Sequence, residues 1–414
     1  MEKELTQKQE NEIQRQFDIL VSNTTSVVEK AELKNKIKIS VVNNKPLNVK
    51  LGLDPSAPDI HLGHLVVLKK LKQFQDLGHK VHLVIGDFTG MIGDPTGKSK
   101  ARVQLTKEEV KTNAKTYIEQ FGRILDMNQV EVHYNSTWLT KLNIYELINL
   151  LSTTTVARML ERNDFTQRFD SHTPIYLHEF LYPLFQGYDS VALKADIELG
   201  GNDQQYNLLV GRKLQEYFGQ SKQVVMTMPL LVGLDGKNKM SKSKNNYIGI
   251  SENPSIIFGK VMSLPDEQMI AYYKLVSSFD DKEVSNFKDQ LDENQINPKD
   301  LKEQLAKNII EQVYDLGAAN KAQKEFERIF SEKKVPERIE EFVWSGDISV
   351  SPQNLFTKTG LLSSKSAVTR MLDNGGLRIN SQKLTNKNDV IYLKNGMIIQ
   401  VGKRRFLKIV INRD

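Results

Sequence analysis

His61 and His64 stand three residues apart around Gly63 in the stretch Lys50-Leu-Gly-Leu-Asp54-Pro-Ser-Ala-Pro-Asp-Ile-His61-Leu-Gly63-His64. On the first turn of a helix, two imidazoles at that spacing can donate to one anion. The backbone N–H groups there are unpaired and the helix dipole is positive, which suits a phosphate. Gly63 leaves no side chain to hold a flat ligand off the backbone. A second concentration of anion-binding chemistry is Lys239-Met240-Ser241-Lys242-Ser243, flanked by Gly236 and a Lys244-Asn-Asn run that should leave the loop mobile. Ammonium and hydroxyl groups at this density can wrap the β- and γ-phosphates of a nucleotide and neutralise a departing pyrophosphate. Each stretch alone also has a plain reading, a helix start with surface histidines or a solvated basic loop.

A third group of polar side chains follows from Glu179-Phe-Leu-Tyr182-Pro-Leu-Phe-Gln186-Gly-Tyr-Asp189. On a helix, positions 182, 186 and 189 share one face, so a phenol, an amide and a carboxylate are presented together. Burying such a set without a polar ligand is expensive. Gly86-Asp-Phe-Thr89-Gly-Met-Ile-Gly93-Asp94-Pro-Thr-Gly97-Lys98-Ser99 ends like a phosphate-binding loop, but a Walker A has four residues between its first glycine and Gly-Lys-Ser, and here there are three.

The elements that must position these groups alternate. A short apolar strand at 48–53 precedes the histidines. An amphipathic helix over 61–77 carries Leu65, Leu68, Leu71, Phe74 and Leu77 on one stripe, and Gly78 closes it. Strand 80–86, helix 107–125 and strand 130–134 continue the alternation expected of βαβ units under a parallel sheet. In such sheets ligands sit beyond the carboxyl ends of the strands. Helical pieces are expected from about 143 to 190, then a strand at 195–199, a helix at 203–218 and a strand at 224–228. From 254 to about 342 the pattern is helical and charge-rich, and 345–354 reads as a linker.

Together, His-x-Gly-His after the first strand and Lys-Met-Ser-Lys-Ser about 175 residues later resemble the class I aminoacyl-tRNA synthetases. The remaining stretches narrow the resemblance to the tyrosyl-tRNA synthetases of bacterial type. It implies an α/β fold with a Rossmann-like parallel-sheet catalytic domain over 1–250, including a helical insertion at about 140–190. An α-helical domain over 251–344 and a small C-terminal α+β RNA-binding domain over 351–414 would follow. It further implies His61, His64, Lys239, Lys242 and Ser243 as catalytic groups. Asp54, Gly63, Lys98, Gly201, Asp203, Met240 and Ser241 would hold ATP. Thr89, Asp94, Tyr182, Gln186, Asp189 and Gln204 would hold tyrosine, with Asp189 toward the substrate phenol. Mg²⁺ with ATP, tRNA(Tyr) and a homodimer whose interface includes the 140–190 region also follow from the resemblance. The chain departs from it at Lys50, where many members have a tyrosine that bonds the substrate phenol. The expectation for Lys50 is an ion pair with Asp189, the alternative being solvent.

Composition is consistent with this. At 414 residues the chain is long enough for two to three domains. The absence of cysteine removes disulfides, thiolate catalysis and Cys-type zinc sites. No apolar run approaches membrane length, the first ten residues are too polar for a signal peptide, and the expected location is cytoplasmic. Net charge is +6, yet residues 351–414 hold twelve basic against three acidic side chains, leaving the rest of the chain at −3. A basic end on a neutral-to-acidic body points to a polyanion. Lys365, Arg370, Lys403, Arg404 and Arg405 are the candidate RNA contacts, in a segment resembling a small RNA-binding module first known from a ribosomal protein. Three rivals remain: a tryptophanyl enzyme, a different nucleotidyltransferase with the same histidine motif, and a non-catalytic RNA-binding paralogue. The Gln186/Asp189 pair suits a phenol better than an indole, the RNA module has no purpose in the second, and the intact signature residues argue against the third.

Overall fold

The computed structural model describes residues 5–56, 58–94, 106–331, 339–402 and 405–411. The chain divides into two compact units, Met1–Asn253 with Lys260–Asp315, and Pro254–Gly259 with Leu316–Asp414.

The first unit is built on a six-stranded sheet. Its strands are β1 (Ser26–Val28), β2 (Asn48–Leu53), β3 (Lys80–Ile85), β4 (Val130–Tyr134), β5 (Ile197–Gly201) and β6 (Val224–Met228), in the order β1-β6-β5-β2-β3-β4. All neighbours run parallel except β1, which pairs antiparallel with β6. β3, β5 and β6 are buried almost end to end, as strands covered by helices on both faces must be. β1 was not anticipated, since three residues are too few to show a period. β5 begins two residues later than expected. Between β2 and β3 lies the Leu62–Asp76 helix, which buries Leu65, Leu68, Leu71 and Phe74. Gly78, with φ +82°, ends it by turning the chain back toward β3. Short helices from Ile144 to Asp170 match the expected helical stretch and lead into the long Leu177–Leu193 helix, while a further short helix, Ser136–Leu139, precedes the range expected. The Gln205–Tyr217 helix packs beside it, and further helices run through Asp266–Val276, Asp281–Asp292 and Pro298–Val313.

In the second unit, the Leu316–Ser331 helix is followed by a small α+β module. Its sheet has the order β10-β9-β12-β13-β7, from β7 (Glu341–Trp344), β9 (Leu377–Ile379), β10 (Gln382–Lys383), β12 (Ile398–Val401) and β13 (Arg405–Ile411). β8 (Ser349–Val350) and β11 (Ile391–Tyr392) form a separate pair. Two helices, Pro352–Lys358 and Lys365–Asp373, close a core around Trp344, Leu355, Phe356, Val368 and Ile399. Asn380 and Ser381, both at positive φ, form the tight turn between β9 and β10. The expectation of a linker at 345–354 is overturned. Within it the carbonyl of Asp347 accepts from Trp344 Nε1 at 3.0 Å, β8 pairs with β11, and the Pro352–Lys358 helix begins. Just before it, β7 lies parallel to β13 where the helical pattern is expected to run to about 342. Loop-like composition was misleading because these strands are too short to carry a period.

Candidate active site

The carboxyl ends of β2, β3 and β5 open into a cleft of about 570 Å³. Every expected site residue from Asp54 to Ser243 lines it except Lys98, which lies outside the described residues. Stretches 175 residues apart in the chain are thereby brought together: Leu62 N–H donates to the carbonyl of Ile248, and the strand-like bridge His61–Gly249 pins the helix start against the segment after the lysine loop.

His61 is the N-cap of the Leu62–Asp76 helix. Its Nδ1 accepts the Gly63 N–H at 3.1 Å, and His64 Nδ1 accepts the His61 N–H at 3.2 Å. Two of the helix's orphan donors are thus satisfied, and the proton of each ring is fixed on Nε2. Burial, then the neighbouring His64 and Lys242, pushes His61 down to about 2; burial and Lys242 push His64 down to about 4. Both rings are therefore neutral donors at neutral pH. A Cβ on Gly63 would come within 2.9 Å of the His61 ring, so the glycine is required by close approach.

Lys239 Nζ pairs with Asp203 at 2.6 Å, and Lys242 Nζ donates to the carbonyl of Asp59. Burial lowers the Lys242 ammonium from its ordinary value. Ser241 and Ser243 share a hydroxyl contact of 2.7 Å. The loop is tied by Asn246, whose Oδ1 accepts the Ser241 N–H at 2.8 Å and whose Nδ2 donates to Asp235 and to the carbonyl of Lys239. Sequence reading assigned Asn246 only to a flexible flank.

Deeper in the cleft, Tyr182 hydroxyl donates to Asp54 at 2.9 Å, and Thr89 donates to the other oxygen of Asp54 at 2.8 Å. Gln204 Nε2 donates to Asp94 at 2.7 Å. The Gln186 Oε1 is buried without a hydrogen-bond partner among the described residues. Asp189, only 3% exposed, accepts from Trp138 Nε1 at 2.7 Å and from Asn135 Nδ2 at 3.5 Å. Burial raises its carboxyl to about 7 against the opposing pull of Lys50, Trp138 and Asn135. Trp138 and Asn135 were missed by sequence reading, although both follow the carboxyl end of β4, where a parallel sheet places its ligands.

Lys50 overturns its expectation. It is fully buried and its ion pair is with Glu198, at 2.9 Å, while it also donates to Ser190 Oγ and the Gln186 carbonyl, each at 2.8 Å. Lys50 and Glu198 are register partners on adjacent parallel strands, a pairing that becomes visible only once β2 is known to lie beside β5. Of the expected RNA contacts, Lys365, Arg370 and Arg405 are exposed on the small module, and Arg405 donates to the carbonyl of Gly360 near the start of the Lys365–Asp373 helix. Lys403 and Arg404 lie outside the described residues.

The family model for class I tRNA synthetases (W and Y) matches residues 42–331. A tyrosine–tRNA ligase of Moorella thermoacetica is 48% identical over 402 residues, 97% of both chains. One from Haemophilus influenzae is 49% identical over 394 residues, covering 95% of this chain and 96% of that protein. Among solved structures, the tyrosyl-tRNA synthetase of Archaeoglobus fulgidus complexed with L-tyrosine aligns with TM-score 0.60 at 22% identity. That alignment covers 75% of this chain and 99% of that one, and it speaks for the fold. With the signature residues gathered at one cleft and half the sequence shared along its length, the chain belongs to the class I tRNA synthetases of the tryptophanyl and tyrosyl family, on its tyrosine–tRNA ligase branch.

Proposed function

We propose that the cleft carries out both steps of tyrosine–tRNA ligation with the residues at its wall in distinct roles. The carboxylate of L-tyrosine attacks the α-phosphate of ATP, the bond to pyrophosphate breaks, and the tyrosyl group of the adenylate then passes to the terminal ribose of tRNA(Tyr), releasing AMP. The observation that supports this most directly is the meeting of His61, His64, Lys239 and Lys242 around one cleft that also contains Asp189. Neutral His61 and His64 donate through Nε2 to the α-phosphate, while Lys239, Lys242 and Ser243 follow the pyrophosphate. This is positioning and charge stabilisation, with no covalent step on the protein. ATP enters as its Mg²⁺ complex, in which the ion rides on the phosphates as part of the substrate. Asp54, Gly63, Gly201, Asp203, Met240 and Ser241 accommodate the nucleotide; a Cβ on Gly201 would meet the Asp203 carboxylate at 2.7 Å and displace it.

Thr89, Asp94, Tyr182, Gln186 and Gln204 surround the amino-acid backbone. The unpartnered Gln186 oxygen suits an ammonium donor. Asp189 accepts the substrate phenol. The basic module supplies phosphate contacts to tRNA. The protein works in the cytoplasm as a homodimer. Ile144, Tyr145, Ile148, Phe169 and Leu177 are exposed large apolar side chains in the 140–190 region, and Leu177 is 83% exposed. Leu177→Glu with Tyr145→Glu should shift the sedimentation profile to monomer.

Amino-acid-dependent pyrophosphate exchange over a panel of amino acids tests the reading, with tyrosine the expected substrate. His64→Ala and Lys242→Ala should each lower adenylation by on the order of 10²-fold with little change in tyrosine affinity, as loss of a preorganised donor does. A loss confined to the KM for tyrosine would contradict the assignment.

A further inference from the structure

We propose that His82, His133 and Glu131 form a binding site for one divalent transition-metal ion, with Zn²⁺ the best match to the donors. The three come together because β3 and β4 run parallel in a register that sets His82 opposite Glu131 and Val84 opposite His133. Positions 131 and 133 share a face, and the cross-strand partner of 131 joins them there. The candidate ligand atoms are His82 Nδ1, His133 Nε2 and Glu131 Oε2. They lie 3.0 Å apart for the two nitrogens, and 3.3 Å and 3.7 Å from the carboxylate oxygen to His82 and His133. A tetrahedral zinc with bonds of about 2.0–2.2 Å requires ligands about 3.4 Å apart, so an ion enters with small side-chain shifts. Two imidazoles and one carboxylate favour zinc, cobalt, nickel or copper over magnesium or calcium, which prefer oxygen ligands.

A second observation concerns orientation. The other nitrogen of His82, Nε2, lies 3.2 Å from Asn48 Oδ1 and donates to it, which leaves the Nδ1 lone pair aimed at His133. Metal-bound histidines are held by such outer partners. His133 Nε2–H is then the donor between the rings, and metal binding shifts that proton to His133 Nδ1. His82 is buried and Glu131 about half exposed, which gives an ion both a dry side and an entry path. Lys80 Nζ is 4.0 Å from the other oxygen of Glu131 and is exposed, so its charge is screened by solvent. None of the three lines the catalytic cleft, and the roles proposed above use none of them.

Full-length protein stripped with chelator and titrated with Co²⁺ tests the site through the visible absorption bands of a tetrahedral cobalt centre. One equivalent per chain should bind and be displaced by Zn²⁺. His133→Asn should remove that equivalent, and Glu131→Gln should weaken it at least tenfold. His172→Asn, an exposed histidine elsewhere, should leave it unchanged. Glu131 is exposed, so its variant tests the site without disturbing the core. Absence of a cobalt band at millimolar Co²⁺, or a stoichiometry unaffected by His133→Asn, would overturn the proposal.

Discussion

The surroundings of Asp189 suit the role proposed for it, accepting the substrate phenol. Burial disfavours its charge and raises it to about 7, while Trp138, Asn135 and the nearby Lys50 pull the other way. A bound phenol donates and therefore needs the ionised form. The carboxyl is mostly protonated below pH 7, so tyrosine affinity should fall as pH drops through that value, approaching tenfold per unit. Equilibrium titration of tyrosine between pH 6 and 8.5 should show this, and Asp189→Asn should flatten the profile; a flat profile in the unmodified protein would count against the role. Phenylalanine should be rejected because it leaves the buried carboxylate without its partner, an effect for which tyrosyl-tRNA synthetases are themselves the worked example. Asp189→Ala should therefore collapse the ratio of kcat/KM for tyrosine over phenylalanine. At the histidines, Gly63→Ala would force a methyl against the His61 ring and should slow adenylation while leaving tyrosine binding unchanged.

Between elements, Lys50 and Glu198 join β2, β5 and the Leu177–Leu193 helix. The lysine donates to the Gln186 carbonyl and to Ser190, at and beside Gln186 and Asp189, the residues of that helix proposed to hold tyrosine. Gln223 Nε2 also donates to Glu198. Removing one charge would leave the other buried and unpaired, so Lys50→Met or Glu198→Leu alone should destabilise by roughly 3–5 kcal/mol. The double variant should recover most of that loss in urea unfolding, while its tyrosine KM should still rise because the helix has lost its tether. Additive losses would show that the two charges are not coupled. The same pair marks the limit of what the sequence discloses. β2, β4 and β6 and the Leu62–Asp76 helix could be read directly from short apolar runs and one amphipathic stripe, each a local pattern. The partner of Lys50 depends on β5 lying beside β2, a contact across about 150 residues that no local period encodes. Trp138 lies in a stretch with no motif, the linker reading of 345–354 failed where β8 is only two residues long, and the helical reading to about 342 ran over the start of β7, only four residues long.

Across the whole molecule, chemistry and basic charge are segregated. The cleft residues all precede 244, whereas twelve basic side chains fall in the last 64 positions. Phosphate contacts supply affinity that weakens with salt, about 0.7–0.9 of a logarithmic unit per contact for each decade of salt. With five contacts from Lys365, Arg370 and Lys403 to Arg405, the module should account for a slope of roughly 4 in the salt dependence of tRNA binding. The place of the cut decides whether this can be measured. A chain ending at 350 would keep β7 and β8 after deleting their partners β13 and β11, leaving Phe342 and Trp344 without the core they pack into, an aggregation hazard. A chain ending at Ser331 removes the module entire, from β7 to β13. That shorter protein should activate tyrosine in pyrophosphate exchange nearly as well as the full chain. It should charge tRNA poorly, and its residual charging should lose most of its salt dependence. Charging equal to that of the full chain, with the same salt slope, would refute the RNA-binding role of the module.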